Sequence, residues 1–269
     1  AAGLCVCIEP WRAPPLLALA VALGGLARPE LARRCWNWMS QRRRARRRTL
    51  PLNHSFALPL ETLHAKPLIL SCADFIDEAA CETLIASAEP HLVPSPEGAG
   101  DGGPSRGRTS KSCMLSRKRP ECQAFLERCA ALTGCPVAHF EDPQVSRYLS
   151  GEHYEAHYDA PDRSEPDGRG FMRCGGTRMA TVLVYLNTVA HGGETKFTRL
   201  RTPASRLVVQ PRRGTALLFF PANAKGRVDA RLEHEARPPR EGEVKWVAQA
   251  WLRQKPDPTR TFIDNPDSV

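Results

Sequence analysis

Between residues 144 and 252 the chain runs through short apolar or alternating stretches: QVSRYL, ATVLVYL (180–186), TKF (195–197), RLVVQ (206–210), TALLFF (215–220) and VKWVAQAWL (244–252). Turn signals such as Gly192-Gly193 and PRRG (211–214) separate them. Each run is strand-sized, and the runs are rich in β-branched and aromatic residues. Several strands at this spacing predict a β-sandwich or barrel, and no internal repeat suggests a solenoid.

Helices are expected only ahead of that region. KPLILSC (66–72) reads as a strand, and DEAACETLIASA (77–88) reads as a helix. Asp77 is placed to cap the helix, and Cys81, Leu84, Ile85 and Ala88 share one face of a 3.6-residue period. Residues 89–110 are so rich in Gly, Pro and Ser that a long loop is expected. A second helix is expected over about 120–133, with Pro120 in its first turn, Gly134 past its end and Cys122, Phe125, Leu126 and Cys129 on one face. The fold class expected is mainly β with these two helices flanking one sheet.

The 42% hydrophobic content across 269 residues supports one sizeable core with appendages. A formal charge of +9 invites a nucleic-acid reading, but its distribution argues against one. Residues 1–50 hold ten Arg, no Lys, and only Glu9 and Glu30, so +8 of that charge lies there. The remainder is nearly neutral, and no nucleic-acid partner is expected.

The leader also carries a 14-residue apolar run, PPLLALAVALGGLA (14–27), followed by QRRRARRR (41–48). It is short against the ~20 residues of a spanning helix. A secretory segment, an organellar transit segment and a short signal-anchor into the endoplasmic reticulum or secretory pathway all remain open. Membrane association is expected only through this run. The boundaries expected are a leader over 1–50, a linker over 51–65, a folded domain over 66–255 and a tail over 256–269. Ten Cys at irregular spacings, with no C-x-x-C, argue against a structural zinc site, and Cys81 and Cys129 read as small core residues.

Chemistry concentrates in GEHYEAHYDAPD (151–162). Residues i and i+2 of a strand project to the same face, so His157 and Asp159 can offer an imidazole and a carboxylate to one point. A second imidazole would complete a 2-His-1-carboxylate triad, a donor set suited to Fe(II) with open coordination positions. The downstream candidates are His191, beside the Gly192-Gly193 turn, and His234.

Four ordered blocks resemble the 2-oxoglutarate- and Fe(II)-dependent dioxygenases, in particular the prolyl 4-hydroxylase catalytic domain, over about residues 66–253. QVSRYLSGEHYEAHYDA is similar to that family's Q-V-x-R-Y-x-x-G-x-x-Y-x-x-H-x-D block. RMATVLVYLNTVAHGGETKF resembles its R-x-A-T-x-L-x-Y-L-N block, GTALLFF its G-x-A-L-x-F, and LEHEARPPREGEVKWVAQAW its closing H…K-W-x-x-x-x-W. RTSKS (108–112) resembles the R-T-S before the family's substrate loop.

The resemblance implies a double-stranded β-helix (jelly-roll) core of eight strands. It implies Fe(II) bound by His157, Asp159 and His234, and 2-oxoglutarate held at its far carboxylate by Lys245 and Tyr148, with Thr195 lining the pocket. O2 as co-reactant, L-ascorbate as helper and a peptide or protein substrate, expected to be Pro-rich, follow from it as well. Loop 94–110 would be a cover. One departure is visible: Lys245 stands eleven residues after His234 where the family pattern has ten, so RPPREGEV carries an insertion. Absorbed in the loop, the extra residue leaves Lys245 facing the site; passed into the strand, it turns Trp246 inward instead. Tyr154, Trp246 and Trp251 read as core. The competing functions are the same oxygenase chemistry on another residue or small molecule, a metal hydrolase, and a non-catalytic binding module.

Overall fold

The computed structural model describes residues 50–52, 56–96, 106–161, 175–201, 206–223 and 226–256. Strands β1 (Leu50–Leu52) and β2 (Phe56–Leu58) pair with each other. They are followed by β3 (Glu61–Ala65), β4 (Leu68–Cys72), helix α1 (Glu78–Ala88), β5 (Val93–Pro94), β6 (Lys111–Met114) and helix α2 (Pro120–Thr133). Eight further strands complete the order: β7 (Gln144–Tyr148), β8 (Tyr154–His157), β9 (Arg178–Tyr185), β10 (Thr195–Arg201), β11 (Arg206–Val209), β12 (Ala216–Phe219), β13 (His234–Ala236) and β14 (Lys245–Arg253).

These last eight divide evenly between two antiparallel sheets. β7, β9, β12 and β14 lie in a large sheet of order β3-β4-β12-β9-β14-β7-β6-β5, and β8, β10, β11 and β13 form a small sheet of order β11-β10-β13-β8. This is the expected jelly-roll core, widened by one hairpin on each side of the large sheet.

The large sheet is buried on both faces, which is why its strands read as nearly continuous apolar runs. Ala180, Val182 and Val184 of β9 and Trp246, Ala248 and Ala250 of β14 join Cys81 and Leu84 of α1 and Phe125, Leu126 and Cys129 of α2 in one core. The opposite face supplies Leu183, Tyr185 and Val247, which fill the space between the sheets. Both helices lie where their periodicity puts them. Asp77 accepts a hydrogen bond from the Ala80 N–H, a cap worth about 1 kcal/mol, and Gly134 ends α2 in the left-handed conformation (φ 70°).

Two stretches expected to be irregular carry strands. The linker expected over 51–65 contains β3, whose pairing with β4 extends the sheet upstream of residue 66. The loop expected over 89–110 contains a 3-10 turn (Glu89–His91) and the short strand β5, while its central residues 97–105 lie outside the described residues, as does most of the cover they were expected to form. Residues 1–49 and 257–269, which carry the targeting and tail expectations, lie outside them too. Among the described residues no helix is long and apolar enough to cross a membrane. The six described cysteines are free thiols, with Cys81 and Cys129 fully buried.

Candidate active site

The site forms where two strands of the small sheet present one rung to the interior. His157 ends β8, His234 begins β13, and the two are paired in register. Their rings lie 4.4 Å apart between centroids. Asp159 follows two residues after His157, and its two carboxylate oxygens lie 3.8 Å from the Nε2 atoms of His157 and His234 respectively. The donor atoms of all three lie within 4.8 Å of one another.

The surroundings fix which atoms face the centre. His157 Nδ1 lies 2.8 Å from the Glu155 carbonyl and His234 Nδ1 lies 3.1 Å from the Leu232 carbonyl. A carbonyl only accepts, so each Nδ1 carries the proton and each Nε2 turns a lone pair inward. Tyr154 stacks on the His157 ring at 3.6 Å, and Phe219 packs edge-on against His234 at 5.0 Å. Thr181 donates its hydroxyl to Asp159 at 2.6 Å, and Arg178 donates to the Asp159 carbonyl at 3.2 Å.

Burial pushes the His157 imidazole down to about 3, with the neighbouring His234 adding to the effect. Burial alone would raise the Asp159 carboxyl, yet His234, His157, Arg178 and the Thr181 hydroxyl together hold it below the ordinary carboxylate range. Neutral imidazole beside ionised carboxylate is the protonation pattern a divalent cation requires of its ligands. Two nitrogens and one carboxylate oxygen fit Fe(II) and leave three of six positions open.

A second charged group lies across the pocket. Lys245 is 1% exposed, and its Nζ sits 5.1 Å from the Tyr148 ring and 5.9 Å from the Tyr185 ring. Among the described residues no carboxylate reaches it within ion-pair distance. Burial pushes its ammonium down to about 7, opposed by the more distant Glu194. A buried cation without a counterion is costly, and an anion entering the pocket would relieve that cost. Thr195, 2% exposed, accepts a hydrogen bond from the Tyr185 hydroxyl at 2.9 Å and lines the same pocket. One small pocket, open at its mouth, is lined by both Lys245 and the histidine pair.

The insertion before Lys245 is absorbed outside the strand. Lys245 pairs with Tyr148 across β14 and β7, and Trp246 pairs with Arg147 on the helix-facing side. The loop takes up the extra length in a turn at Arg240–Glu243, where Gly242 has φ 81°. His191, the rival imidazole, is exposed at its turn and is not part of the cluster.

Several residues of the site carried no recognised signal. Tyr154, expected in the core, packs against the inter-sheet cluster and also lines the pocket. Arg178 forms a bidentate pair with Glu141 (2.7 and 2.9 Å), Arg253 lies 2.9 Å from the same carboxylate, and the Arg178 guanidinium covers the Trp251 ring at 3.8 Å. A shift in the β9/β14 register between Leu252 and Arg253 brings the two arginines opposite each other. That shift breaks simple alternation, so periodicity could not have found it.

The model of the 2OG-Fe(II) oxygenase superfamily matches residues 143–253, which span the whole eight-stranded core. Probable prolyl 4-hydroxylase 3 of Arabidopsis thaliana is 34% identical over 211 residues, covering 71% of this chain and 71% of the relative. Probable prolyl 4-hydroxylase 4 of the same plant is 32% identical over 213 residues, covering 72% of this chain and 70% of the relative. This chain belongs to the prolyl 4-hydroxylase family of 2-oxoglutarate- and Fe(II)-dependent oxygenases. It is similar as well to the human prolyl 4-hydroxylase subunit alpha-1, 35% identical over 196 residues, but spans only 35% of that longer subunit. Among solved structures, the viral collagen prolyl hydroxylase of Paramecium bursaria Chlorella virus-1 in its 2OG complex shares the fold, with a TM-score of 0.54 and 24% identity over 69% of this chain and 95% of that one. Enzymes of the prolyl 4-hydroxylase family are oxidoreductases that use Fe(II), 2-oxoglutarate and O2, and ascorbate is typical of them.

Proposed function

We propose that this prolyl 4-hydroxylase family member hydroxylates prolyl residues of a peptide or protein, with His157, Asp159 and His234 holding Fe(II) and Lys245 holding 2-oxoglutarate. The observation that carries the reading is the pairing of an open His/Asp/His donor set with a buried Lys245 that meets no carboxylate among the described residues, at the other end of one pocket. A metal hydrolase would share the first feature and have no use for the second.

Each side chain has a task that its surroundings support. Asp159 would cancel one of the two charges of the ion, with Thr181 aiming its carboxylate and Arg178 holding its backbone carbonyl. The backbone carbonyls of Glu155 and Leu232 hold both imidazoles in the ligating tautomer. Lys245 supplies the cation that one end of a dianionic keto acid needs in a dry pocket, Tyr148 supplies a hydroxyl beside it, and Thr195 closes the wall. When bound, the iron, keto acid and O2 supply the oxidising power, yielding succinate, CO2 and a hydroxylated substrate carbon.

The peptide would enter beside Tyr154, which lines the pocket. A proline-rich segment already favours the extended polyproline II shape and loses little entropy on lying in such a groove. The test is incubation with Fe(II), 2-oxoglutarate, ascorbate and proline-rich or proline-free peptides. Succinate matched one-to-one by hydroxyproline supports the proposal. Succinate with hydroxylation at another residue moves the substrate, and no succinate removes the function.

A further inference from the structure

We propose that Gln249 is a second anchor for 2-oxoglutarate, gripping the carboxylate at its keto end while Lys245 grips the other; this rests on the cosubstrate reading above. Gln249 lies on the inward face of β14, four residues after Lys245 and two before Trp251. At about 3.3 Å of rise per residue, the two side chains start roughly 13 Å apart and lean into one pocket.

Their order along the strand assigns them to opposite ends. Trp251 pairs with Thr181, whose hydroxyl holds the Asp159 carboxylate, so the Gln249 end of β14 is the metal end. Lys245 pairs with Tyr148 at the far end. An extended five-carbon dicarboxylate, with a lysine reaching in from one side and a glutamine from the other, fits that span.

Gln249 is 8% exposed and lines the pocket, yet its amide makes no hydrogen bond to any described residue. The amide opens onto the pocket space rather than being sealed in the core, so a ligand there can reach it. Neighbouring polar groups are otherwise engaged: Gln144, paired opposite it on β7, accepts from Arg108 at 2.9 Å and donates to the Met114 sulfur at 3.6 Å. Gln249 is therefore kept polar toward the pocket itself. As a neutral group, it can donate to a carboxylate without competing for the metal or adding a second buried cation beside Lys245. A carboxylate chelating the ion through one oxygen leaves its other oxygen to accept from the amide.

The experiment measures binding of 2-oxoglutarate and of 4-oxopentanoate to the Mn(II)-loaded protein without O2. 4-Oxopentanoate keeps the ketone and the far carboxylate and replaces the keto-end carboxylate with methyl. Gln249→Leu is expected to bind 2-oxoglutarate about 10- to 100-fold more weakly, the loss of one hydrogen bond to a charged group, with Mn(II) affinity and 4-oxopentanoate binding unchanged. Lys245→Ala is expected to weaken both ligands. Gln249→Leu binding 2-oxoglutarate as the wild type does, or losing both ligands equally, overturns the proposal. Wild-type protein that binds Mn(II) but neither ligand instead removes the cosubstrate reading on which it rests.

Discussion

His157 and His234 face each other on a single rung of the β8/β13 ladder, so the backbone pairing that holds the small sheet together also sets the distance between the two imidazoles. Asp159 is carried to the same point by the two-residue repeat of the extended chain. Replacing any of the three with Ala is expected to remove stoichiometric Fe(II) or Mn(II) binding and turnover together. Because the rung lies inside a sheet with its own apolar core, the melting temperature of the metal-free variants should stay within a few degrees of wild type. Metal titration followed by thermal unfolding checks both halves.

Glu141 is the carboxylate shared by Arg178 and Arg253, and it is 5% exposed. Glu141→Ala would leave two buried guanidinium groups facing each other. The cost expected is about 3–5 kcal/mol. For a domain of this size that is a fall in melting temperature of roughly 10 °C. Since Arg178 also holds the Asp159 carbonyl, metal affinity should fall as well, by about tenfold. A thermal melt and a metal titration on Glu141→Ala measure the two effects separately.

The pH behaviour of Lys245 has a definite sign. Burial lowers its ammonium to about 7 from 10.5, so the ligand-free folded protein binds fewer protons than the unfolded chain between those values. Stability from this residue is therefore poorest below about pH 7 and rises as the pH climbs from 7 toward 10. Lys245→Met removes the effect: the variant should be more stable than wild type at pH 6.5, with the gap closing by pH 9.5. Affinity of the wild type for 2-oxoglutarate should move the opposite way, falling as pH rises. Paired melts and isothermal titrations across that range check it.

Thr181→Val keeps shape and deletes the hydroxyl that aims Asp159. Metal affinity should fall about tenfold with little change in fold. Thr181→Ser should restore most of it, which a purely structural role for the methyl group would not allow.

Much of this was legible in the residues. Strand-sized apolar runs and two helices with end signals led to a β-sandwich or barrel with flanking helices, the H-x-D spacing led to two of the three converging donors, and the jelly roll itself came from the family resemblance. Choosing His234 over His191 needed either the family resemblance or the β8/β13 register, since nothing local in sequence links residues 157 and 234. The face occupied by Lys245 was likewise open, because an extra loop residue inverts a strand unless a turn absorbs it. What stayed hidden was support reached over long distances: Arg178 and Arg253 meeting on Glu141, and Tyr154 stacking on His157 where an aromatic near a strand reads as core. Gln249 was hidden for a related reason. An amide in an apolar strand looks incidental until its neighbours are known.

The most direct test is anaerobic titration of the Fe(II)-loaded protein with 2-oxoglutarate, followed through the visible charge-transfer absorption that appears when the keto acid chelates ferrous iron. A saturable band of one equivalent is expected in the wild type, with its loss in Asp159→Ala and a shift to higher half-saturating concentration in Lys245→Ala. A wild type that binds Fe(II) and shows no such band, or an Asp159→Ala variant that keeps it, would contradict the account.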